Sequence, residues 1–540
     1  MNFTRLFHTV KYLKPVQIYG RLWFKLYKPR PDMSSAPATR PIKADWVSPC
    51  KKNPSLLFPY RFRFLTQEHE INSVKDWNNP RWEKLWLYNL HYFDDLQACD
   101  AENKKALHLD LIGKWIEENP PGIGNGWEPY PTSLRIVNWI KWALGGNGLP
   151  DEAMNSLAVQ TRYLFRKLEV HLLGNHLFAN AKALVFAGLF FDGSGAELWL
   201  NKGLKIFSKQ VHEQILDDGG HFELSPMYHS IILEDLLDLI NIMRAYGQTH
   251  PETWLNSVAK MLFWLKVMCH PDKKPGFFND CAFGIAPDFV DLEQYAMRLC
   301  FSNVESPQEG ITPLMDSGYV RLQKGVAVLI ADVGRIGPDY LPGHVHADTL
   351  SFEFSVRSKK ETAWRRIFVN SGISCYGNSK ERIRQRGTAC HNTLVINGEN
   401  SSEVWDGFRV AKRAYPFGLE VKDKKKGLWI RCGHDGYTRL KGKPVHCREW
   451  CLKDNSLEIK DIVTGGFSEA VAFYHLYPGA TVDLQKKKIL LDDICIKFQT
   501  DAEVFLKDTY YYPEFNKVVS NNCLVVKPLN SQYFIKFIYH

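Results

Sequence analysis

The apolar residues of this chain change their spacing once, close to residues 302–312, and this change requires two parts of different secondary structure. Before it, apolar side chains recur every three or four residues, as over Ser133–Trp142, Ser156–Leu173 and Ile231–Tyr246, which is typical of helices with one buried face. After it, short alternating runs such as Leu428–Cys432 lie between turn residues, which is typical of strands. We therefore predict a helical domain followed by an antiparallel β domain.

The length of the chain supports the same division, because 540 residues exceed the ~250–300 that one hydrophobic core usually organises. Helices in pairs with long connections predict an α/α toroid over residues 80–305, and regular short strands predict an antiparallel β-sandwich over residues 313–540. Residues 1–79 are predicted to be an extension that packs on the toroid. Within it, Phe3–Leu26 fits either an amphipathic surface helix or a helix packed on the main domain, and we favour the second interpretation.

The formal net charge is +9 and 13% of the residues are aromatic, which suits a groove for an anionic polysaccharide. Nucleic acid is not expected as a partner, since the sequence has no helix-turn-helix, zinc-finger or RNP-type signature. No apolar run approaches the ~18 residues of a transmembrane segment, and no signal-peptide pattern is found, so we predict a cytoplasmic location. The sequence gives no prediction for the oligomeric state.

The densest cluster of reactive side chains is Gly343-His344-Val345-His346-Ala347-Asp348. Side chains alternate along an extended segment, so His344, His346 and Asp348 are predicted to project to one face. Two imidazoles and a carboxylate in this arrangement indicate a functional site more often than a structural one.

A second cluster lies over Arg382–Thr393, directly before an apolar strand. His391 is a candidate metal ligand in it, and Arg384 and Arg386 are candidates for binding the acid groups of a substrate. Taken alone, the segment is better interpreted as a basic loop with a strand-capping His-Asn pair.

Three segments of the helical half are unusually polar for their surroundings. They contain the candidate residues Trp127, Tyr130, Asn175, His176, Glu223 and Tyr228. Trp127 and Tyr130 offer rings for stacking on sugars, and Tyr228 follows a glycine-rich break at a predicted helix start. Each segment alone is also typical of a helix end satisfied by local hydrogen bonds.

These motifs follow one another in an order that resembles a known family. The segments N-H-L…A-N, D-G-G-x-F-E-x-S-P-x-Y-H, G-H-x-H-A-D-x-L-S-F-E and T-A-x-H-N-T-L-V-I-N-G resemble those of the heparinase II/III-like polysaccharide lyases of bacteria, which include heparin-sulfate lyases and some alginate lyases. The resemblance runs from about Trp82 through the C-terminal region. It implies an incomplete α/α toroid, a β-sandwich, a catalytic groove between them and, as the alternative to a cytoplasmic location, the periplasm.

Position by position, the resemblance implies that Tyr228 is the general acid/base and that His344 is the catalytic histidine. It also implies that Asn175 neutralises the carboxylate of a uronic acid, with His176 beside it. Tyr376 lies where some relatives have a further active-site tyrosine.

The resemblance further implies a zinc ion bound by His346 and His391. The third ligand in relatives is an Asp in a V-D-x-G pattern, whereas this chain has Asn370 in Val-Asn-Ser-Gly. A neutral amide oxygen is a weaker partner for zinc than a carboxylate, although Asp348 is a candidate substitute. Zinc is therefore a prediction with one departure from the family pattern.

Elimination from a uronic acid requires residues of these types. The C5 proton becomes acidic only when hydrogen-bond donors neutralise the adjacent carboxylate. Tyr228 can act as base, acid or both if its pKa is lowered by nearby cations. We therefore predict a polysaccharide lyase that acts on an acidic glycan. The alternatives are a glycoside hydrolase on the same toroid, drawing on Glu223 and Asp218, and a non-catalytic glycan-binding or capsule-assembly protein.

Overall fold

The computed structural model describes residues 3–358 and 363–539. It begins with two helices, α1 (Phe3–Val10) and α2 (Pro15–Leu26). A small antiparallel sheet follows, made of β1 (Leu56–Phe58), β2 (Arg61–Phe64) and β3 (Gln67–Glu70). The predicted single helix over Phe3–Leu26 is divided because Pro15 lacks a backbone N–H and opens a new helix at its first position.

Nine further α-helices of the described residues form the helical part. They are α3 (Lys84–Leu90), α4 (Lys105–Glu118), α5 (Pro129–Leu144), α6 (Asp151–Arg166), α7 (Gly174–Phe190), α8 (Ser194–Gln214), α9 (Pro226–Ala245), α10 (Glu252–Met268) and α11 (Phe289–Arg298). One predicted helix was too long: α6 ends at Arg166, seven residues before Leu173. The cause is a tertiary contact, because the Asn180 side chain accepts the backbone N–H of Glu169 at 2.8 Å and holds the next segment in a turn.

Strands dominate after residue 309. They are β4 (Gly310–Leu314), β5 (Tyr319–Lys324), β6 (Ala327–Asp332), β7 (Phe352–Arg357), β8 (Trp364–Phe368), β9 (Leu394–Ile396), β10 (Val404–Trp405), β11 (Arg409–Val410), β12 (Pro416–Lys424), β13 (Gly427–His434), β14 (Val445–Lys453), β15 (Ser456–Thr464), β16 (Ala470–His475), β17 (Thr481–Asp483), β18 (Lys488–Leu491), β19 (Ile494–Thr500), β20 (Glu503–Tyr511), β21 (Val519–Lys527) and β22 (Gln532–Tyr539). One further helix, α12 (Lys380–Gln385), interrupts them. The predicted change from helices to strands near residues 302–312 is confirmed, since α11 ends at Arg298 and β4 begins at Gly310.

All strand pairs between these elements are antiparallel. The sheets have the orders β4-β5-β6-β7-β8, β20-β21-β16-β9 and β12-β13-β14-β15-β22-β19-β18-β17, with β10 and β11 as a separate ribbon. Buried side chains from all three large sheets form one core. The core of the helical part continues onto the inner residues of β5 and β6, so the first sheet joins the two parts.

A small apolar cluster fills the junction between the helical and sheet parts. It contains Met227 and Tyr228 from α9, Phe277 from the loop after α10, and Val369 and Ile373 from the segment after β8. Packing of this kind holds the ends of these elements in fixed relative positions. In the described part of the chain, no helix combines the length and apolarity needed to cross a bilayer.

Candidate active site

Tyr228 lies at the start of α9, at the junction. The Ser225 hydroxyl caps the helix by accepting the backbone N–H of Tyr228 at 3.2 Å, and Pro226 occupies the first helical position. The Tyr228 hydroxyl lies 2.7 Å from the hydroxyl of Tyr376, which comes from the sheet part. The ring of Tyr228 packs against that of His344, with the centroids 3.9 Å apart.

The buried carboxylate of Asp280 is the centre of the hydrogen-bond network. It lies 2.9 Å from His344 Nδ1 and 2.8 Å from His346 Nε2, and Arg382 binds it with both guanidinium arms. Although burial alone would raise the pKa of Asp280, Arg382 and the two histidines outweigh it and hold that pKa well below its ordinary value. Asp280 is therefore ionised and accepts a hydrogen bond from an N–H of each imidazole.

This network fixes the tautomer of His344. Because Nδ1 donates to Asp280, the neutral ring carries its lone pair on Nε2. The side chain is 16% exposed, whereas that of His346 is fully buried. His344 is thus the partly exposed histidine of the cluster, and its Nε2 is not used in the contact with Asp280.

The predicted common face of the histidine cluster is confirmed. His344 and His346 both contact Asp280, and Asp348 accepts the backbone N–H of Asn279 at 3.2 Å. These three side chains therefore meet the loop that follows α10.

The condition that nearby cations lower the Tyr228 pKa is not met. Burial raises that pKa well above its ordinary value, and the neighbouring Tyr376 hydroxyl and the Asp280 carboxylate raise it further. The positive charge nearby does not compensate, because Arg382 is already neutralised by Asp280. Tyr228 is consequently a protonated phenol at neutral pH.

A second polar group lies at the N-terminus of α7. Asn175 lies beside the hydroxyl of Tyr130, and the His176 ring lies 4.6 Å from that of Tyr130. His176 Nδ1 lies 3.2 Å from Glu169 Oε2. Burial lowers the pKa of His176, but the Glu169 carboxylate outweighs burial and the net pKa is raised. The α7 end therefore offers an amide and an imidazole with an increased tendency to carry a proton.

Glu223 connects this group to the histidine cluster. It is 1% exposed, its Oε2 has no hydrogen-bond partner among the described residues, and burial raises its pKa. A Cβ at Gly174 would lie 2.9 Å from Glu223 Oε1 and 2.6 Å from Leu341 Cδ2. Gly174, with φ +52°, thus allows the α7 end, Glu223 and the loop before His344 to meet.

Two predicted substrate-binding residues do not fit that role. Trp127 is 3% exposed, and its indole donates to the Asn119 carbonyl inside the helical core. Arg386 is fully buried and donates to the backbone carbonyls of Val345 and Asp406. Both side chains lack a free face for a sugar in this structure.

Arg384 differs from Arg386, because its side chain is 42% exposed and pairs with Glu381. It therefore remains accessible to an acid group of a substrate. Binding of a substrate acid group by Arg384 stays a prediction.

The predicted zinc ligands come together only in part. His346 Nδ1 and His391 Nε2 lie 3.2 Å apart, close to the spacing of two imidazoles on a tetrahedral zinc with bonds of about 2.0–2.1 Å. Asn370 Oδ1, however, accepts the backbone N–H of Asn392, and the described residues contain no group of three His, Cys, Asp or Glu side chains placed to hold a metal ion. His346 and His391 therefore come together as two possible ligands, and zinc remains a prediction.

Three residues of the site were missed in the sequence. Asp280 and Glu169 are single acidic residues in loops of the helical half, and Arg382 stands beside the two arginines that were named. The spacing of two residues between Arg382 and Arg384 could have identified Arg382 in the sequence. Nothing local to Asp280 or Glu169 identifies them, since their partners lie in other segments.

Family models match both parts of the chain. One described as "Heparinase II/III N-terminus" matches residues 151–299, and one described as "Heparinase II/III-like, C-terminal" matches residues 306–533. Heparin-sulfate lyases of Bacteroides stercoris and Bacteroides thetaiotaomicron are 25% identical over 309 residues and 30% identical over 345 residues. These alignments cover 52% and 54% of this chain and 44% and 48% of the relatives. The chain spans about half the length of the curated relatives it matches.

Solved structures share the fold. A crystal structure of heparinase III matches with a TM-score of 0.65 and 18% identity, over 84% of this chain and 76% of that one. The heparan sulfate lyase of Pedobacter heparinus matches with a TM-score of 0.59 and 17% identity, over 97% and 88% of the two chains. The family models cover the helical and the sheet part in the family's order, and the chain belongs to the heparinase II/III-like family.

Proposed function

We propose that the protein is a polysaccharide lyase that cleaves a uronic-acid-containing glycan by β-elimination in the groove between its two parts. The contact among Tyr228, His344 and Asp280 carries this proposal, because it joins a proton donor to an oriented proton acceptor. The proposal includes an incomplete α/α toroid for the helical part and a β-sandwich for the sheet part. The likeness to heparinase III supports that architecture.

The first requirement of the reaction is an acidic C5 proton. In the proposed complex the uronate carboxylate binds at the N-terminus of α7, where the Asn175 amide donates a hydrogen bond and protonated His176 supplies positive charge. Glu169 favours that charge by raising the pKa of His176. Neutralising the carboxylate stabilises the carbanion that forms at C5.

The second requirement is a base and an acid on one side of the sugar. His344 Nε2 takes the C5 proton. The electron pair of the C5–H bond forms the C4–C5 double bond while the C4–O bond breaks. The Tyr228 hydroxyl gives its proton to the departing oxygen, a role that suits its raised pKa. Asp280 orients His344 and stabilises the imidazolium that forms, so it acts as a positioning residue.

A glycoside hydrolase on this scaffold would need two available carboxyl groups beside the bond. Glu223 is one carboxyl group with a raised pKa. The Asp280 carboxylate, which helps to raise the pKa of Glu223, is not available as the second group. It is already bound by Arg382, His344 and His346. Asp218, the other residue considered in the sequence, accepts hydrogen bonds from Ser317. The geometry therefore favours elimination over hydrolysis.

The test is an assay of the purified chain on a panel of uronate polymers. Heparan sulfate comes first because the relatives are heparin-sulfate lyases. A lyase releases one unsaturated chromophore, absorbing at about 235 nm, for each reducing end formed. New reducing ends without the chromophore would identify a hydrolase, and binding without either would identify a glycan-binding protein.

A further inference from the structure

The two N-terminal helices turn their apolar side chains away from the protein. On α1 these residues are Phe3, Phe7 and Val10, and on α2 they are Ile18, Tyr19, Leu22, Trp23 and Leu26. Phe3 is 82% exposed and Leu26 is 72% exposed. The spacing of three and four residues puts each set on one side of its helix. We call this surface the N-terminal face.

The side of α2 that meets the protein is largely polar or small. Gln17 is buried and donates to the Tyr340 carbonyl at 2.9 Å, and Gly20 lies so close to His171 that a Cβ would be 3.1 Å from its side chain. Phe24 is the aromatic contact on this side, 4.4 Å from the His171 ring. A surface helix normally buries its apolar side, and α2 is oriented the opposite way.

Contacts with the sheet part attach α1 and the residues after it to the body of the protein. The Trp405 indole donates to the Thr9 hydroxyl at 3.1 Å, and the Arg413 guanidinium lies 3.9 Å from the centre of the Tyr12 ring. Lys14, between the two helices, forms an ion pair with Glu213 of α8. The helices are therefore attached to the body while their apolar sides remain uncovered.

The N-terminal segment that carries this face has charge of one sign. Residues 1–31 contain four lysines, three arginines and no acidic residue. Arg21, Lys25 and Lys28 are exposed beside the apolar side of α2. A helix with apolar and aromatic residues on one side and cations along its edge has the composition of a peptide that lies in the headgroup region of a membrane.

We propose that the N-terminal face docks the protein on an anionic membrane surface, with the apolar side chains among the acyl chains and the cations at the lipid headgroups. A second copy of the chain is the less suitable occupant, because it would bring the same cations face to face.

Docking of this kind would place the groove close to the lipid headgroups. Gln17 is bonded to Tyr340, and Tyr340 lies four residues before His344. The inference about the membrane does not depend on the chemistry proposed for the groove.

The experiment is co-sedimentation of the full chain with vesicles of phosphatidylcholine alone or mixed with phosphatidylglycerol. We expect binding to the mixed vesicles that weakens as salt rises, and little binding to phosphatidylcholine alone. The triple variant Leu22→Gln, Trp23→Gln, Leu26→Gln should weaken binding by roughly 100-fold or more, since each side chain loses its apolar burial. The variant Arg21→Gln, Lys25→Gln, Lys28→Gln should weaken it by roughly 100-fold, at ~1 kcal/mol per cation.

The matched control is Phe58→Gln, Ile123→Gln, Leu529→Gln, which removes three exposed apolar side chains elsewhere on the molecule. It should bind vesicles like the parent, and circular dichroism should show every variant folded. Absence of binding by the parent, or unchanged binding by the apolar triple variant, would overturn the proposal. A third result would also overturn it: the parent does not bind vesicles but forms a dimer in light scattering, and the apolar triple variant does not form that dimer. The occupant of the face would then be a second copy of the chain.

Discussion

His344 and His346 bind the same carboxylate but differ in their exposure and in their second contact. On one side of Asp280, His344 is partly exposed, contacts Tyr228 and keeps its Nε2 out of the contact with Asp280. On the other side, His346 is fully buried and its second nitrogen lies 3.2 Å from His391. Burial lowers the pKa of His346 to about 4, so it stays neutral. Exposure, and not residue type, separates the side of Asp280 to which we assign the reaction from the supporting side.

The largest effect is expected from Asp280→Asn, which removes the group that both sides share. Arg382 would be left buried and unpaired, so stability should fall by about 3–5 kcal/mol. The pKa of Asp280 is lowered in the folded protein, so its contribution is present above the unfolded pKa and is lost as pH falls through the folded value. Urea denaturation at neutral and acidic pH measures both effects.

Asp272→Asn is the control for this loss. Asp272 pairs with Arg366, but its side chain is 37% exposed and Arg366 retains Glu353 nearby. A smaller loss, roughly 1–2 kcal/mol, is expected. Equal losses of stability in the two variants would contradict the central role of Asp280 in the hydrogen-bond network.

Matched substitutions separate the two sides of Asp280. His344→Ala should reduce kcat by about 10²–10⁴-fold with little change in Tm, because a positioned base is lost from an accessible place. His346→Ala should lower stability by about 2–3 kcal/mol by leaving buried polar groups unpaired. Turnover per folded molecule and thermal unfolding, measured on both variants, give the comparison. A reversed pattern would assign the reactive role to the buried side.

A metal measurement sharpens the description of the buried side. Asn370→Asp restores the carboxylate of the pattern that the resemblance implies, so the variant should bind zinc more tightly than the parent. Loss of an outer-shell partner of a metal ligand typically costs about 10–100-fold in metal affinity, and gain of a direct ligand should be worth at least that much. Competition with a chelator, followed by elemental analysis, measures it. Equal affinity of parent and variant would mean that Asn370 already serves as a ligand.

The smallest effect concerns the α7 end of the groove. Glu169 raises the pKa of His176, so the charged imidazole is present below that pKa and is lost as pH rises through it. Glu169→Gln should therefore move the alkaline limb of kcat/KM to lower pH. Glu128→Gln is the control, since Glu128 contributes less to that pKa and should cause a smaller shift. An unchanged limb in Glu169→Gln would show that His176 does not need its charge.

The order of helices and strands could be predicted because periodicity is a local property of the sequence. Tyr228, His344 and Tyr376 were recognisable for a similar reason, since each stands in or beside a recognisable motif. Asp280 was not, because its importance comes from Arg382 and two histidines more than sixty residues away. Trp127 and Arg386 were misjudged because a sequence does not show which side chains are buried.

The most direct test of the reactive side compares Tyr228→Phe with Tyr376→Phe on a polymer that the parent cleaves. Tyr376 lies 2.7 Å from the Tyr228 hydroxyl and has the same chemistry, so it is a close control. Following the chromophore at about 235 nm, we expect Tyr228→Phe to lose about 10²–10⁴-fold in rate with unchanged stability, and Tyr376→Phe to lose roughly tenfold or less. Parent-like turnover by Tyr228→Phe would contradict the account and transfer the acid role to another group.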